Sequence, residues 1–216
     1  MGLHKIKTCD EMVKNSMIQG AEATVSMGEF LGRKALIKTR PEKSYRLPEI
    51  DSSIRNSRTR NEARIMRDAR EAGVRTPCIY DIDLSKAELT MEFIEGESVK
   101  DFLDSNPDKA DEICEKIGLA VAKIHSAKIC HGDLTTSNMI LENGEVCLID
   151  FSMGCANAEL EDIGVDLRLL ERAFSSAHVG LESSFEKLMD TYYSNISDPK
   201  AVKRKLADIK NRGRYT

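Results

Sequence analysis

The sequence predicts an α+β fold in two lobes, an antiparallel sheet with one long helix followed by a reduced, mostly helical part. Three observations point there. Short apolar or alternating runs bounded by turn residues recur at 17–28, 34–38, 77–83 and 88–93, the pattern of paired strands. A single long stretch at helical period, 51–72, interrupts them. Beyond residue 96 helical spacing dominates, at 98–103, 108–128, 161–174, 181–193 and 200–210. The expected division is an N-lobe over 1–95, a C-lobe over 96–198, and a helix end with a basic tail over 199–216.

Composition narrows the class. The 216 residues, 41% hydrophobic and 31% charged, suit one globular domain or two small lobes with a real core. A net charge of -4 argues against a protein that is basic all over, while leaving room for a local basic patch. No run reaches the ~18 apolar residues of a membrane helix. Residues 1–19 mix Lys, Asp and Glu with apolar residues, so a signal peptide is not expected. Cys9, Cys78, Cys114, Cys130, Cys147 and Cys155 show no C-x-x-C and read as reduced, mostly buried thiols of an intracellular protein. The expected location is the cytoplasm, with the nucleus as a second place. His4, His125, His131 and His178 lack metal spacing, which speaks against zinc.

In the N-lobe, Gly20 between two apolar segments suggests a hairpin turn. The same loop could lay backbone N–H groups over phosphates, though it has one glycine where three are usual. Residues 34–38 form a strand ending in Lys38, loosely of V-A-I-K type. Asp51, Ser52 or Ser53 could cap the helix over 51–72, and Gly73 stops it. Ile54, Ile65, Met66 and Ala69 make its apolar face, and Glu62 is a plausible ion-pair partner for Lys38. Arg55, Arg58, Arg60, Arg64, Arg67 and Arg70 are either a solvated face or a surface for a partner or RNA. The strands over 77–83 and 88–93 turn around Ser85 and Lys86. Met91-Glu92-Phe93-Ile94-Glu95-Gly96 then reads as a hinge, where the backbone at Glu92 and Ile94 could meet an adenine edge.

The long helix over 108–128, with Ile113, Ile117, Ala120, Val121 and Ile124 inward, delivers the chain to His131-Gly132-Asp133. Asp133 can accept a proton from a hydroxyl or a water. Asn138 follows five positions later, close enough for one loop to turn both side chains into a cleft. Asp150 ends the buried run Val146-Cys147-Leu148-Ile149, and an oxygen ligand at a strand end suits Mg²⁺. The order H-x-D-x-x-x-x-N, then D-F, is the protein-kinase signature for phosphoryl transfer. Val165, Leu169 and Leu170 are expected inward on the next helix. From Lys200 onward, seven Lys or Arg stand against Asp208 alone; this tail either is solvated or touches RNA or a partner.

Those residues carry a resemblance. Gln19-Gly20-Ala21-Glu22-Ala23, Ile37-Lys38, Tyr45-Arg46 with Pro48, Arg58-Thr59-Arg60, Glu62-Ala63-Arg64, Met91-Glu92 with Glu95-Gly96, 131–139, 148–151, 164–167 and Arg212-Gly213-Arg214 together resemble the PRPK-type family, the small atypical kinase subunit of the KEOPS (EKC) complex. The resemblance covers nearly the whole chain. It implies a small, RIO-like version of the two-lobed protein-kinase fold and an ATP- and Mg²⁺-using serine/threonine kinase or ATPase. Its complex supports threonylcarbamoylation of tRNA adenosine 37. The implied partners are a Kae-type threonylcarbamoyltransferase subunit and a Cgi-type small subunit, with tRNA reached through the complex. By the same resemblance Lys38 would hold phosphates and pair with Glu62, Asp133 would be the catalytic acid-base residue, and Asn138 and Asp150 would hold Mg²⁺.

The chain departs from the expected pattern in places. Ser152 stands where this family usually has Gly. Gly132 replaces the Arg of kinases regulated by phosphorylation, as is normal for the family. Only about ten residues separate Phe151 from the next helix, and A-P-E is absent, which favours ATP hydrolysis or limited kinase activity. Two other readings compete. A small-molecule kinase of aminoglycoside or choline type shares H-G-D-x-x-x-x-N but needs a larger helical region. A non-catalytic scaffold would have no use for Lys38, Glu62, Asp133, Asn138 and Asp150 together.

Overall fold

The computed structural model of the chain describes residues 18–19 and 22–212. Five strands form the N-lobe sheet: β1 (Ile18–Gln19), β2 (Thr24–Phe30), β3 (Arg33–Thr39), β4 (Ile79–Asp83) and β5 (Glu88–Glu92). Every pairing is antiparallel, in the order β1-β2-β3-β5-β4. β3 lies in the middle of this sheet, with Lys38 opposite Val25 on one side and Leu89 on the other. The β1–β2 pairing agrees with a hairpin there, but Gly20 itself lies outside the described residues.

Helix α1 (Pro48–Glu71) begins earlier than the capping pattern predicts. Pro48 sits at its first turn, where a fixed φ and a missing N–H cost nothing, and the preceding Leu47 makes no side-chain cap. Asp51, Ser52 and Ser53 are therefore inside the helix. The buried Asp51 accepts from Arg55 at 2.7 Å and Arg46 at 3.4 Å instead. Ile65, Met66 and Ala69 are buried as expected, whereas Ile54 is only partly covered. Gly73, at φ 81°, does end the helix.

The C-lobe runs β6 (Glu97–Ser98), α2 (Val99–Ser105), α3 (Ala110–Ser126), β7 (Ile129–Cys130), β8 (Met139–Glu142), β9 (Glu145–Leu148), β10 (Cys155–Ala156), α4 (Leu160–Ala177), α5 (Glu182–Ser194) and α6 (Pro199–Arg212). Two small sheets, β6-β8-β9 and β7-β10, frame the loops that follow β7 and β9. Helix α3 packs on α5 so closely that a Cβ on Gly118 would lie 2.4 Å from the Leu188 carbonyl oxygen. Ile117, Val121, Ile124, Leu134, Phe151 and Leu188 fill the centre. In α4, Leu170 is fully buried but Val165 is 49% exposed, contrary to the sequence reading. The buried positions are Gly164, Asp166, Leu167, Leu170 and Phe174, and at 100° per residue their stripe leaves Val165 outside. Among the described residues, no helix is long and apolar enough to cross a membrane.

Candidate active site

Lys38 is where the two lobes meet. Its Nζ donates to Glu62 Oε1 at 2.7 Å, Asp150 Oδ1 at 2.7 Å and Ser152 Oγ at 3.1 Å. Strand β3 delivers the ammonium and α1 delivers the carboxylate, 24 residues apart in sequence. Burial works against the charge on Lys38, but Glu62 and then Asp150 outweigh it, so its pKa is raised. The second Glu62 oxygen accepts from Arg40 Nη2 at 2.6 Å, and Arg40 Nη1 reaches Thr59 at 3.3 Å. Glu62 is 1% exposed and Arg40 3% exposed, so one buried carboxylate serves two buried cations.

Asp150 closes the triangle from the C-lobe. Its φ of 62° is in the left-handed region, which Asp tolerates better than bulkier residues and which backbones adopt where the surroundings force them. Burial pushes its carboxyl up, yet the charge and hydrogen bond of Lys38, together with Ser152, bring it down to about 2. Ser152 donates from its hydroxyl to Asp150 Oδ1. A serine at this position thus adds a ligand to the same ion pair.

The loop after β7 supplies the rest. Asn138 donates its amide nitrogen to the Asp133 carbonyl and to Asp133 Oδ2, both at 2.9 Å, which leaves its amide oxygen as the group able to coordinate a cation. Asp133 is exposed and open to an incoming hydroxyl. His131 points the other way. Its Nδ1 accepts from the Asp133 backbone N–H at 3.3 Å, so Nε2 carries the proton and donates to the Ile149 carbonyl at 2.9 Å. Burial lowers its pKa and keeps the ring neutral. Gly132, at φ 80°, has no room for a side chain: a Cβ would stand 2.2 Å from the Met153 carbonyl oxygen. This is a steric reason why no Arg occupies that place.

Asp166 is the residue that sequence reasoning left without a role. Its two oxygens accept the backbone N–H of His131 at 2.8 Å and of Gly132 at 2.9 Å, and His125 Nε2 lies 3.2 Å away. The His125 Nδ1 in turn meets the Tyr192 hydroxyl at 2.9 Å. A buried chain from α5 through α3 and α4 therefore holds the Asp133 loop from behind. His125, Cys130 and Asp166 also come within 4.8 Å of one another, a proximity that sequence spacing did not announce. The hydrogen bonds just described already account for that cluster.

At the hinge, Glu92 does not face the cleft with its carboxylate. Arg75 grips it through two bonds of 2.8 Å and the Cys78 N–H adds a third at 3.0 Å, while Arg75 also reaches Glu142. Its pKa falls chiefly through Arg75. Ile94 is buried. What Glu92 and Ile94 can offer a ligand is therefore backbone. Asn138 and Asp150 offer hard oxygen donors, and the Ile149 N–H bonds the Asn138 carbonyl at 3.0 Å, which brings their two segments together; an amide oxygen and a carboxylate fit a divalent cation of Mg²⁺ type.

Comparison with known proteins agrees with this arrangement. The pattern of the RIO domain matches residues 24–180. The KEOPS complex subunit Bud32 of Pyrococcus abyssi is 41% identical over 207 residues, covering 91% of this chain and 94% of that one. A probable bifunctional tRNA threonylcarbamoyladenosine biosynthesis protein of Methanothermobacter thermautotrophicus is 40% identical over 207 residues. That match takes in 95% of this chain but 38% of the relative, so the chain spans less than two fifths of the bifunctional protein. Among solved structures, the Rio2 kinase–ADP/Mg²⁺–phosphoaspartate complex from Chaetomium thermophilum superposes with a TM-score of 0.58, over 93% of this chain and 71% of that chain. At 15% identity it speaks to the fold alone. The chain belongs to the Bud32 family of RIO-domain proteins and has its small, two-lobed, kinase-like fold.

Proposed function

We propose that the chain is an ATP- and Mg²⁺-dependent ATPase with limited serine/threonine kinase activity, and that it works as the kinase subunit of a KEOPS-type complex supporting threonylcarbamoylation of tRNA adenosine 37. The observation that carries the chemistry is the Lys38 ammonium, buried between Glu62 and Asp150, with Asp133 and Asn138 paired in the loop after β7. Lys38 would hold the nucleotide phosphates, Glu62 would fix Lys38, and the backbone at Glu92 and Ile94 would receive the base. Asn138 and Asp150 would hold Mg²⁺, which neutralises phosphate charge. Asp133 would take the proton from the attacking water or hydroxyl.

Hydrolysis is favoured over broad protein phosphorylation because β10 and α4 follow Phe151 directly, leaving little chain to dock a peptide. The complex-level role rests on the names borne by the relatives. In this reading the partners are a Kae-type transferase subunit and a Cgi-type small subunit, in the cytoplasm or nucleus, and the lobes divide near residue 95. Contact with tRNA by the basic end belongs to the same reading, with one qualification from geometry. Lys205 and Arg212 pair with Glu161 at 2.9 and 2.5 Å, and Lys210 pairs with Glu171 at 2.6 Å, so part of that charge is already answered.

Thermal denaturation with ATP and Mg²⁺, repeated with EDTA, tests the site. A rise in midpoint that EDTA removes is expected, and no rise would refute ATP·Mg²⁺ binding. Measuring ATP turnover with and without the purified transferase subunit and tRNA then tests the complex-level role.

A further inference from the structure

Two cysteines lie opposite each other in the short ladder that ties the site together. Cys130 of β7 and Cys155 of β10 are direct antiparallel partners, and both are free thiols. Directly opposed residues of an antiparallel pair have Cα atoms about 4.5–5.5 Å apart and side chains on the same face. That separation lies within the range of roughly 4.4–6.8 Å that a disulfide spans. Cys130 is buried; Cys155 is partly open to solvent.

What a bond here would enclose gives it meaning. The chain between the two cysteines contains His131, Asp133, Asn138, Asp150 and Ser152. Its two ends are already pressed together, with the Gly132 backbone against Met153 and Gly154 against the Cys130 and His131 carbonyls. Asn61 of α1 also donates to the Gly154 carbonyl at 3.1 Å, so this segment joins the Glu62 helix to the Asp133 loop.

We propose that Cys130 and Cys155 are a redox modification site, oxidised by a peroxide to a reversible disulfide that staples the active-site segment. The Cys155 thiolate attacks the peroxide O–O bond to give a sulfenic acid and hydroxide. The Cys130 thiol then displaces water from that sulfur. Overall, two thiols and one hydrogen peroxide give one disulfide and two waters, and a dithiol reverses the step. Burial pushes both thiols upward, so the pair is slow to react at neutral pH and quickens as pH rises.

The full chain, treated with hydrogen peroxide and then blocked with an alkylating agent, is digested without reductant. A peptide linking Cys130 to Cys155 is expected. It disappears on dithiothreitol treatment and is absent from Cys155→Ser and Cys130→Val. Closing a loop of roughly 25 residues should raise the thermal midpoint on the order of 5–10 °C, reversibly. Sulfinic acid on Cys155 with Cys130 still alkylatable would overturn the proposal, as would a link elsewhere. A midpoint change that persists in Cys155→Ser would also overturn it. Cys155 is partly exposed, so its variant remains informative even where Cys130→Val fails to fold.

Discussion

Replacing Glu62 by Gln isolates what its carboxylate does, because the side chain keeps its size and leaves no cavity. The wild-type group accepts from Lys38 at 2.7 Å and from Arg40 at 2.6 Å. Lys38 keeps Asp150 and Ser152 after the change. Arg40 keeps only the Thr59 hydroxyl at 3.3 Å and the neutral Gln, whose amide must turn its NH₂ towards one of the two cations. Breaking a buried ion pair from one side costs about 3–5 kcal/mol, since a charge is left uncompensated. That is a large share of a domain's ~5–15 kcal/mol. The expected drop in melting midpoint is on the order of 10 °C. The assay is urea denaturation, with a thermal melt beside it for the midpoint, of Glu62→Gln, Arg40→Met and the double variant. The double variant should be more stable than Glu62→Gln alone, because it removes the stranded guanidinium, giving a coupling above ~1 kcal/mol. Additive losses, or a Glu62→Gln midpoint within 2 °C or so of wild type, would refute the shared-carboxylate argument.

Three other perturbations follow from the same geometry. Asp133→Asn should cut ATP turnover on the order of 10²-fold or more while leaving nucleotide affinity close to wild type; calorimetric binding beside a turnover assay checks both, and an unchanged rate would remove Asp133 from its role. Asp166→Asn leaves one of the His131 and Gly132 N–H groups facing an NH₂, so a loss of about 2–4 kcal/mol in urea denaturation is expected, together with slower turnover. For pH, burial holds His131 and His178 below their ordinary value of 6.5, so below that pH the unfolded chain binds more protons. Stability should therefore fall as pH drops from about 6.5 towards 5, and a urea midpoint that is flat or rising over that span would contradict it.

The parts of the site that could be read from sequence share one property: each is fixed by local spacing. Asp133 and Asn138 sit in one loop, Asp150 ends a four-residue apolar strand, and Lys38 ends another. The Lys38–Glu62 pair was within reach because a strand end and a helix middle have only one sensible way to meet. Pro48 was the local signal that should have moved the start of α1, since an N-terminal proline outranks a nearby Asp or Ser as a start marker.

Arg40 and Asp166 show where such reading stops, and in each case a physical clue was present. Arg40 lies two residues past Lys38 on the same strand line, so alternation already turned both cations to one face and implied a shared counter-charge. Asp166 lies in the buried phase of α4, beside Leu167, Leu170 and Phe174. A carboxylate in that phase must be hydrogen-bonded or unstable, which marks it as an anchor before any partner is known. Two of its three partners were invisible because they are backbone N–H groups some 34–35 residues away, and a backbone donor has no letter in the sequence. The clamp of Arg75 on Glu92 and Glu142 had no such clue, since each acid is the last residue of its strand and only partly buried, where an unpaired charge would also be stable. Burial phase thus predicts that a polar side chain has a partner, and only the fold can say which one.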